Sequence, residues 1–217
     1  MSNDDAYAGG LLTRALDPAT QPPEIRAYLQ AEIDLLRELV PAGTPASGPP
    51  AAGMRVVDIG CGTGRHLALL RDRLAYGLGI DYQPAYVAEA RARAGGPPLE
   101  FLVGDAAAVP ADGSFDLAIC MTNSWGTMGD QPGVLAEMRR LAPRAGRRLL
   151  SVYAEASVPA RSEWYRRMGH AVAGAGDTFV ETEGGFRSEH FTEARLRALV
   201  GPCVVQPLAG IAYAVTF

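Results

Sequence analysis

Lysine is absent: all twenty basic side chains in the 217 residues are arginine. Schiff-base chemistry and a lysine nucleophile are therefore excluded. Cysteine is scarce and odd in number, and Cys61, Cys120 and Cys203 each fall in or beside a stretch expected to be buried. They read as small core residues of a reducing compartment and not as a disulfide frame. The histidines His66, His170 and His190 are scattered, without carboxylates at ligand spacing, so no metal site is expected. Net charge is −4 and no basic run interleaved with aromatics occurs, which argues against a nucleic-acid partner. No apolar run is long enough to span a bilayer, and no basic patch followed by an apolar stretch opens the chain. A cytoplasmic protein without a membrane partner, monomeric or homodimeric, is the expectation.

Glycine, by contrast, is abundant, and three glycines fall two residues apart directly after a β-branched run. Residues 54 to 64 read Met-Arg-Val-Val-Asp-Ile-Gly-Cys-Gly-Thr-Gly. Val56, Val57 and Ile59 suit a strand buried on both faces, and Gly60, Gly62 and Gly64 allow a tight turn whose backbone can touch a ligand. Leu67, Leu70 and Leu74 then recur at helical spacing. The unit is strand, glycine loop, helix, which offers unpaired amides to a polar ligand. Nicotinamide and flavin enzymes also use such turns, but as Gly-x-Gly-x-x-Gly. Asp58, two residues before the first glycine, would repel a pyrophosphate and favour a cationic ligand, or it serves only to order the loop.

The run Val56 to Gly64 resembles the first signature motif of the class I S-adenosyl-L-methionine-dependent methyltransferases, and later landmarks follow in order. Ala75-Tyr76-Gly77-Leu78-Gly79-Ile80-Asp81 is a second strand ending in an acid. The resemblance makes Asp81 the residue that holds both ribose hydroxyls, since a carboxylate accepts two hydrogen bonds from a vicinal diol. Tyr82 would lie against the adenine, and Pro84 opens the next helix. Leu99 to Val103 is a third strand leading into Gly104-Asp105-Ala106, where the family places an aspartate on the adenine amine and an amide on the ring. Gly113 to Met121 resembles the fourth strand, with Asp116 at its entry. The next turn, Thr122-Asn123-Ser124-Trp125, lacks the two prolines usual in nucleic-acid amino-methylases of the family, which leaves a small molecule as the acceptor. It should emerge at the carboxyl ends of the strands, where open α/β sheets bind ligands.

The resemblance implies an α/β, Rossmann-like fold: a mostly parallel seven-stranded sheet with helices on both faces, over residues 53–217. Residues 1–52 would form an N-terminal helical lid and linker. Pro22-Pro23-Glu24 opens a helix whose Ile25, Leu29, Leu36 and Val40 share one face, and Pro41 ends it. The stretch 41–53 is rich in proline, glycine, alanine and serine, as a connector is. Tyr7 resembles the aromatic that such a lid lays over the cofactor. Beyond the fourth strand come a helix through Val134, Leu135, Met138 and Leu141, a fifth strand Arg148 to Tyr153, and a helix around Glu163 to Met168. A hairpin through Gly184-Gly185, a helix capped by Thr192, and strands Cys203 to Gln206 and Ile211 to Phe217, separated by Pro207, complete the chain.

The expected activity is methyl transfer from S-adenosyl-L-methionine to a small metabolite. Cofactor candidates are Tyr7, Asp58, Gly60, Gly62, Gly64, Asp81, Tyr82, Asp105, Ala106 and Thr122. Asn123, Trp125, Tyr153 and Ser188 are the acceptor-side candidates, with Tyr153, His190 and Asn123 in catalytic roles, Tyr153 or His190 removing a proton from the acceptor. Three other readings stay open. One is a same-fold enzyme cyclising the cofactor's aminobutyl chain, as azetidine-2-carboxylate-forming enzymes do. The second is a nonenzymatic cofactor-binding module, and the third is a nicotinamide oxidoreductase, which the glycine spacing and Asp58 oppose.

Overall fold

A computed structural model of the chain describes Asn3 and residues 11–41, 53–112, 114–144 and 147–217. Seven strands form one sheet: β1 (Met54–Ile59), β2 (Leu74–Asp81), β3 (Leu99–Val103), β4 (Leu117–Cys120), β5 (Arg148–Tyr153), β9 (Val204–Leu208) and β10 (Ala212–Thr216). Their order is β3-β2-β1-β4-β5-β10-β9. The first five run parallel and β10 enters antiparallel beside β5. The strand order reverses between β1 and β4, which opens a crevice at their carboxyl ends.

Alternation along β1 sends Val57 and Ile59 to one face and Val56 to the other. The first face is packed by α5 (Gln131–Leu141) through Val134, Leu135 and Met138, and by α7 (Glu193–Val200) through Leu196. The second is packed by α2 (Pro23–Leu39) through Leu36, by α3 (Arg65–Leu70) through Leu67, and by α4 (Pro84–Ala94) through Val87 and Ala90. The expected two-sided sheet is thus present. The cap at Thr192 is also as expected, its Oγ1 accepting the Arg195 amide at 3.0 Å.

A second, three-stranded sheet joins β6 (Val172–Ala175), β7 (Phe179–Thr182) and β8 (Arg187–Glu189). It packs beside α6 (Val158–Arg167), where Trp164, Tyr165, Val180 and Phe186 form a third cluster with α1 (Leu11–Ala15) and the start of α2. One expectation needs correction here. Pro207 lies within β9 and not between strands, which is tolerated because β9 is an edge strand. Helix α2, in the segment expected to be a lid, packs against the sheet: Ile25, Tyr28 and Leu36 are fully buried, and the Tyr28 hydroxyl meets Ser151 Oγ on β5 at 2.9 Å. Tyr7 and most of the connector lie outside the described residues. Among the described residues, no helix is long and apolar enough to cross a membrane.

Candidate active site

The glycine loop turns back over the end of β2. Gly60, Gly62 and Gly64 all have positive φ, at 73°, 54° and 75°. Two of these positions also lack room: a Cβ on Gly60 would sit 2.8 Å from Met128 Cε, and one on Gly64 2.7 Å from the Phe101 ring. The Gly60 and Cys61 amides bond the Ile80 carbonyl, and the Gly62 amide bonds Asp81 Oδ2 at 2.8 Å. Asp81 Oδ1 accepts from the Gln83 amide at 2.9 Å. Burial raises the Asp81 carboxyl above the usual carboxylate range, and these two amides pull it back down.

A cleft of about 270 Å³ opens at this point. Gly60, Gly62, Asp81, Tyr82, Asp105, Ala106 and Thr122 line it, so seven of the ten cofactor candidates are brought together. Gly64 instead packs on Phe101 behind the loop. Asp58 is also behind the wall, fully buried, and neither carboxylate oxygen has a hydrogen-bond partner. His66, a wall residue, has Nδ1 3.5 Å from Asp58 Oδ2, while its Nε2 accepts from Arg65 Nε at 3.1 Å. A neutral ring accepting at Nε2 carries its proton on Nδ1, facing the acid. Asp105 Oδ1 accepts the Ala107 amide at 2.9 Å, a local turn that sets the residue at the rim. Cys61 also lines the cleft, but burial and the nearby Asp58 push its thiol well above its ordinary value, so a reactive thiolate is not formed there. Among the described residues, no group of three or more histidine, cysteine, aspartate or glutamate side chains is placed to hold a metal.

The sequence reading missed Glu32. Its carboxylate is fully buried and receives three hydrogen bonds: from the Thr122 amide at 2.6 Å, Thr122 Oγ1 at 2.8 Å and Arg65 at 3.0 Å. The signal was present, because Ile25, Leu29, Glu32 and Leu36 follow the helical period and put a charge on the apolar face. Thr122 and Asn123 have φ of 52° and 58°, the left-handed region that a β-branched residue avoids. This pair of residues turns the chain after β4. Thr122 faces the cleft, and Asn123 is driven into the protein.

The acceptor-side candidates gather in one place, but not on the cleft wall. Asn123 is buried and its amide donates to Ser188 Oγ at 2.9 Å and to the Glu189 carbonyl at 3.1 Å, while its Oδ1 accepts the Tyr153 amide at 3.0 Å. It pins β5 to β8 and has no donor left for a substrate. Trp125 is fully buried, its ring 5.0 Å from that of Phe191 and its Nε1 donating to the Gln131 carbonyl. It is a core residue. Tyr153, Ser188 and His190 are buried in the same junction as Asn123, behind the cleft.

A family model described as a methyltransferase domain matches residues 56–146. A demethylmenaquinone methyltransferase of Beutenbergia cavernae is 42% identical over 110 residues, which is 49% of this chain and 42% of that protein. The chain therefore matches less than half the length of this curated relative. Magnesium protoporphyrin IX methyltransferase from Synechocystis PCC 6803 superposes with a TM-score of 0.63 at 17% identity, over 99% of this chain and 97% of that one. A Burkholderia thailandensis 1,6-didemethyltoxoflavin-N1-methyltransferase gives 0.62 at 18% identity, over 98% and 82%. At such identities the structures establish the fold alone, a Rossmann-like α/β sheet. The segment similar to a methyltransferase domain thus runs from the glycine loop past β4 and α5, the part of the chain that builds the cleft.

Proposed function

We propose that the chain binds S-adenosyl-L-methionine in the cleft and transfers a methyl group to a small-molecule acceptor. The observation that carries this reading is Asp81, a buried carboxylate at the end of β2 tied across the glycine loop to Gly62 and open to the cleft. Its remaining lone pairs suit the two ribose hydroxyls. Asp105 and the Ala106 amide would take the adenine edge, Tyr82 its face, and the loop backbone at Gly60 and Gly62 would border the amino-acid end. The buried Asp58 carboxylate behind that wall favours a cationic ligand over a pyrophosphate. The two superposed methyltransferase structures support it, since both hold bound S-adenosylhomocysteine, the demethylated cofactor.

When bound, S-adenosyl-L-methionine supplies an electrophilic methyl group on a sulfonium. The protein's part is then to align the acceptor and exclude water. Met121 and Met128 give the cleft apolar surface, and Arg65 brings a cation that Glu32 holds in place. Calorimetry with S-adenosylhomocysteine tests the assignment. Asp81→Ala is expected to weaken binding by about 2 kcal/mol or more, the cost of losing a charged acceptor of two hydrogen bonds. Equal affinity in wild type and variant, or tighter binding of NAD than of S-adenosylhomocysteine, would overturn it. Turnover that releases methylthioadenosine in place of S-adenosylhomocysteine would reassign the chemistry to cyclisation of the aminobutyl chain.

A further inference from the structure

Arg161, on α6, is fully buried, and no carboxylate lies within ion-pair distance of it among the described residues. One terminal nitrogen donates to the Ser188 carbonyl at 2.6 Å, the other reaches Ser157 Oγ at 3.3 Å, and Nε has no partner. The guanidinium lies against the Tyr153 ring, 4.5 Å from its centroid, with the Tyr165 ring at 5.9 Å. Glu189, the acid beside Ser188, is committed to Arg195 at 2.6 Å. The contrast within the molecule is sharp: the buried carboxylate of Glu32 is matched by Arg65 and two further hydrogen bonds, whereas the buried cation of Arg161 is matched by two neutral oxygens. Burying an ion without a counter-charge costs several kcal/mol, and apolar residues of similar volume fill such sites at no loss of stability.

A second unsatisfied group lies in the same junction. His190, two residues beyond Ser188, is buried, with Nε2 against the Asp177 carbonyl at 3.2 Å and Nδ1 without a partner. Burial, and then the Arg161 charge, lower its pKa, so the imidazole is neutral and Nδ1 is an acceptor. The junction abuts the cofactor cleft through one peptide unit: Thr122 lines the cleft, and Asn123 next to it bonds Ser188.

We propose that this junction seats the methyl acceptor and that Arg161 binds a carboxylate carried by it, with His190 Nδ1 accepting a proton-bearing group of the same molecule. The inference rests on the methyl-transfer reading and adds to it the class of acceptor, a small carboxylic acid. A planar guanidinium held against tyrosine rings, with Nε and further terminal N–H groups unused, can turn its fork to a carboxylate. Because the guanidinium is sealed from solvent, the acid enters only as the surrounding side chains part.

The test uses the full chain saturated with S-adenosylhomocysteine and three probe pairs: acetate and acetamide, benzoate and benzamide, indole-3-acetate and indole-3-acetamide. Calorimetry is expected to show at least one carboxylate binding about tenfold or more tighter than its amide, as a charge-assisted pair requires. Arg161→Met should erase that preference, keep S-adenosylhomocysteine affinity and melt no lower than wild type, because the variant removes an unmatched buried charge. A merely structural arginine gives the opposite: no carboxylate preference in the wild type and a lower melting temperature in Arg161→Met. Should Arg161→Met not fold, Arg161→Lys is expected to keep the preference and Arg161→Gln to lose it. Equal binding of acid and amide across all three pairs overturns the proposal even if the cofactor binds. Failure of the wild type to bind S-adenosylhomocysteine would instead sink the methyl-transfer reading.

Discussion

Thr122 and Asn123 hold two consecutive left-handed conformations where neither is glycine, and each such residue costs on the order of 1–3 kcal/mol. That strain persists because both residues are over-determined. Glu32 takes the Thr122 amide and hydroxyl, while the Asn123 amide bonds the Ser151 carbonyl at 2.9 Å and its side chain bonds three further groups. Removing Glu32 therefore frees a strained turn and also leaves Arg65 without its carboxylate. We expect Glu32→Ala to lose about 3–5 kcal/mol of stability in denaturant titration, the range for breaking a buried ion pair, and to weaken S-adenosylhomocysteine binding in those molecules still folded. A variant within about 0.5 kcal/mol of wild type, the size of an ordinary surface change, would mean that the turn holds itself.

At the scale of elements, α2 decides how the N-terminal part of the chain behaves. Ile25, Leu29 and Leu36 are buried against the sheet and the third cluster, and each buried aliphatic side chain contributes about 1.5–3 kcal/mol. Their sum is comparable with the whole net stability of a domain, roughly 5–15 kcal/mol. Deleting residues 1 to 40 is accordingly expected to abolish cooperative thermal unfolding, and a truncated chain that melts cooperatively near the wild-type temperature would favour the lid reading. The sequence showed the helix but not its place, since an apolar stripe does not say whether it meets a sheet permanently or covers a ligand. Local chemistry was more legible. The bounds of β3 and β5 and the cap of α7 follow from short apolar runs and from Thr192, and Asp81, Asp105 and the glycine loop reach one cleft as their motif implies. Strand β6 was not legible because Val172–Ala175 is short, contains Gly174 and is largely exposed. Trp125 and Asn123 lie off the cleft wall because position after a strand end fixes proximity to the crevice but not the direction of a side chain, and the left-handed turn sends Asn123 inward.

Considered as a whole, the molecule places its cleft where three separately built parts meet: the parallel sheet, the glycine loop with α3, and α2. The Glu32 carboxylate of α2 bonds both Arg65 of α3 and Thr122 of the β4 turn, joining these parts. Docking of α2 and occupancy of the cleft are therefore linked equilibria. A ligand that requires Thr122 and Arg65 in place binds only the docked form, and by reciprocity it must strengthen docking by as much as docking strengthens its binding. At a ligand concentration about a hundred times its dissociation constant, that linkage amounts to about 2.7 kcal/mol. It should be visible in hydrogen exchange as amides of Pro23–Leu39 slowed by up to about a hundredfold when S-adenosylhomocysteine is added. Exchange in that helix indifferent to the ligand would mean that it opens without disturbing the cleft. The buried acid of α2 makes the N-terminal helix a thermodynamic reporter on a ligand whose recognised motifs all lie after residue 53.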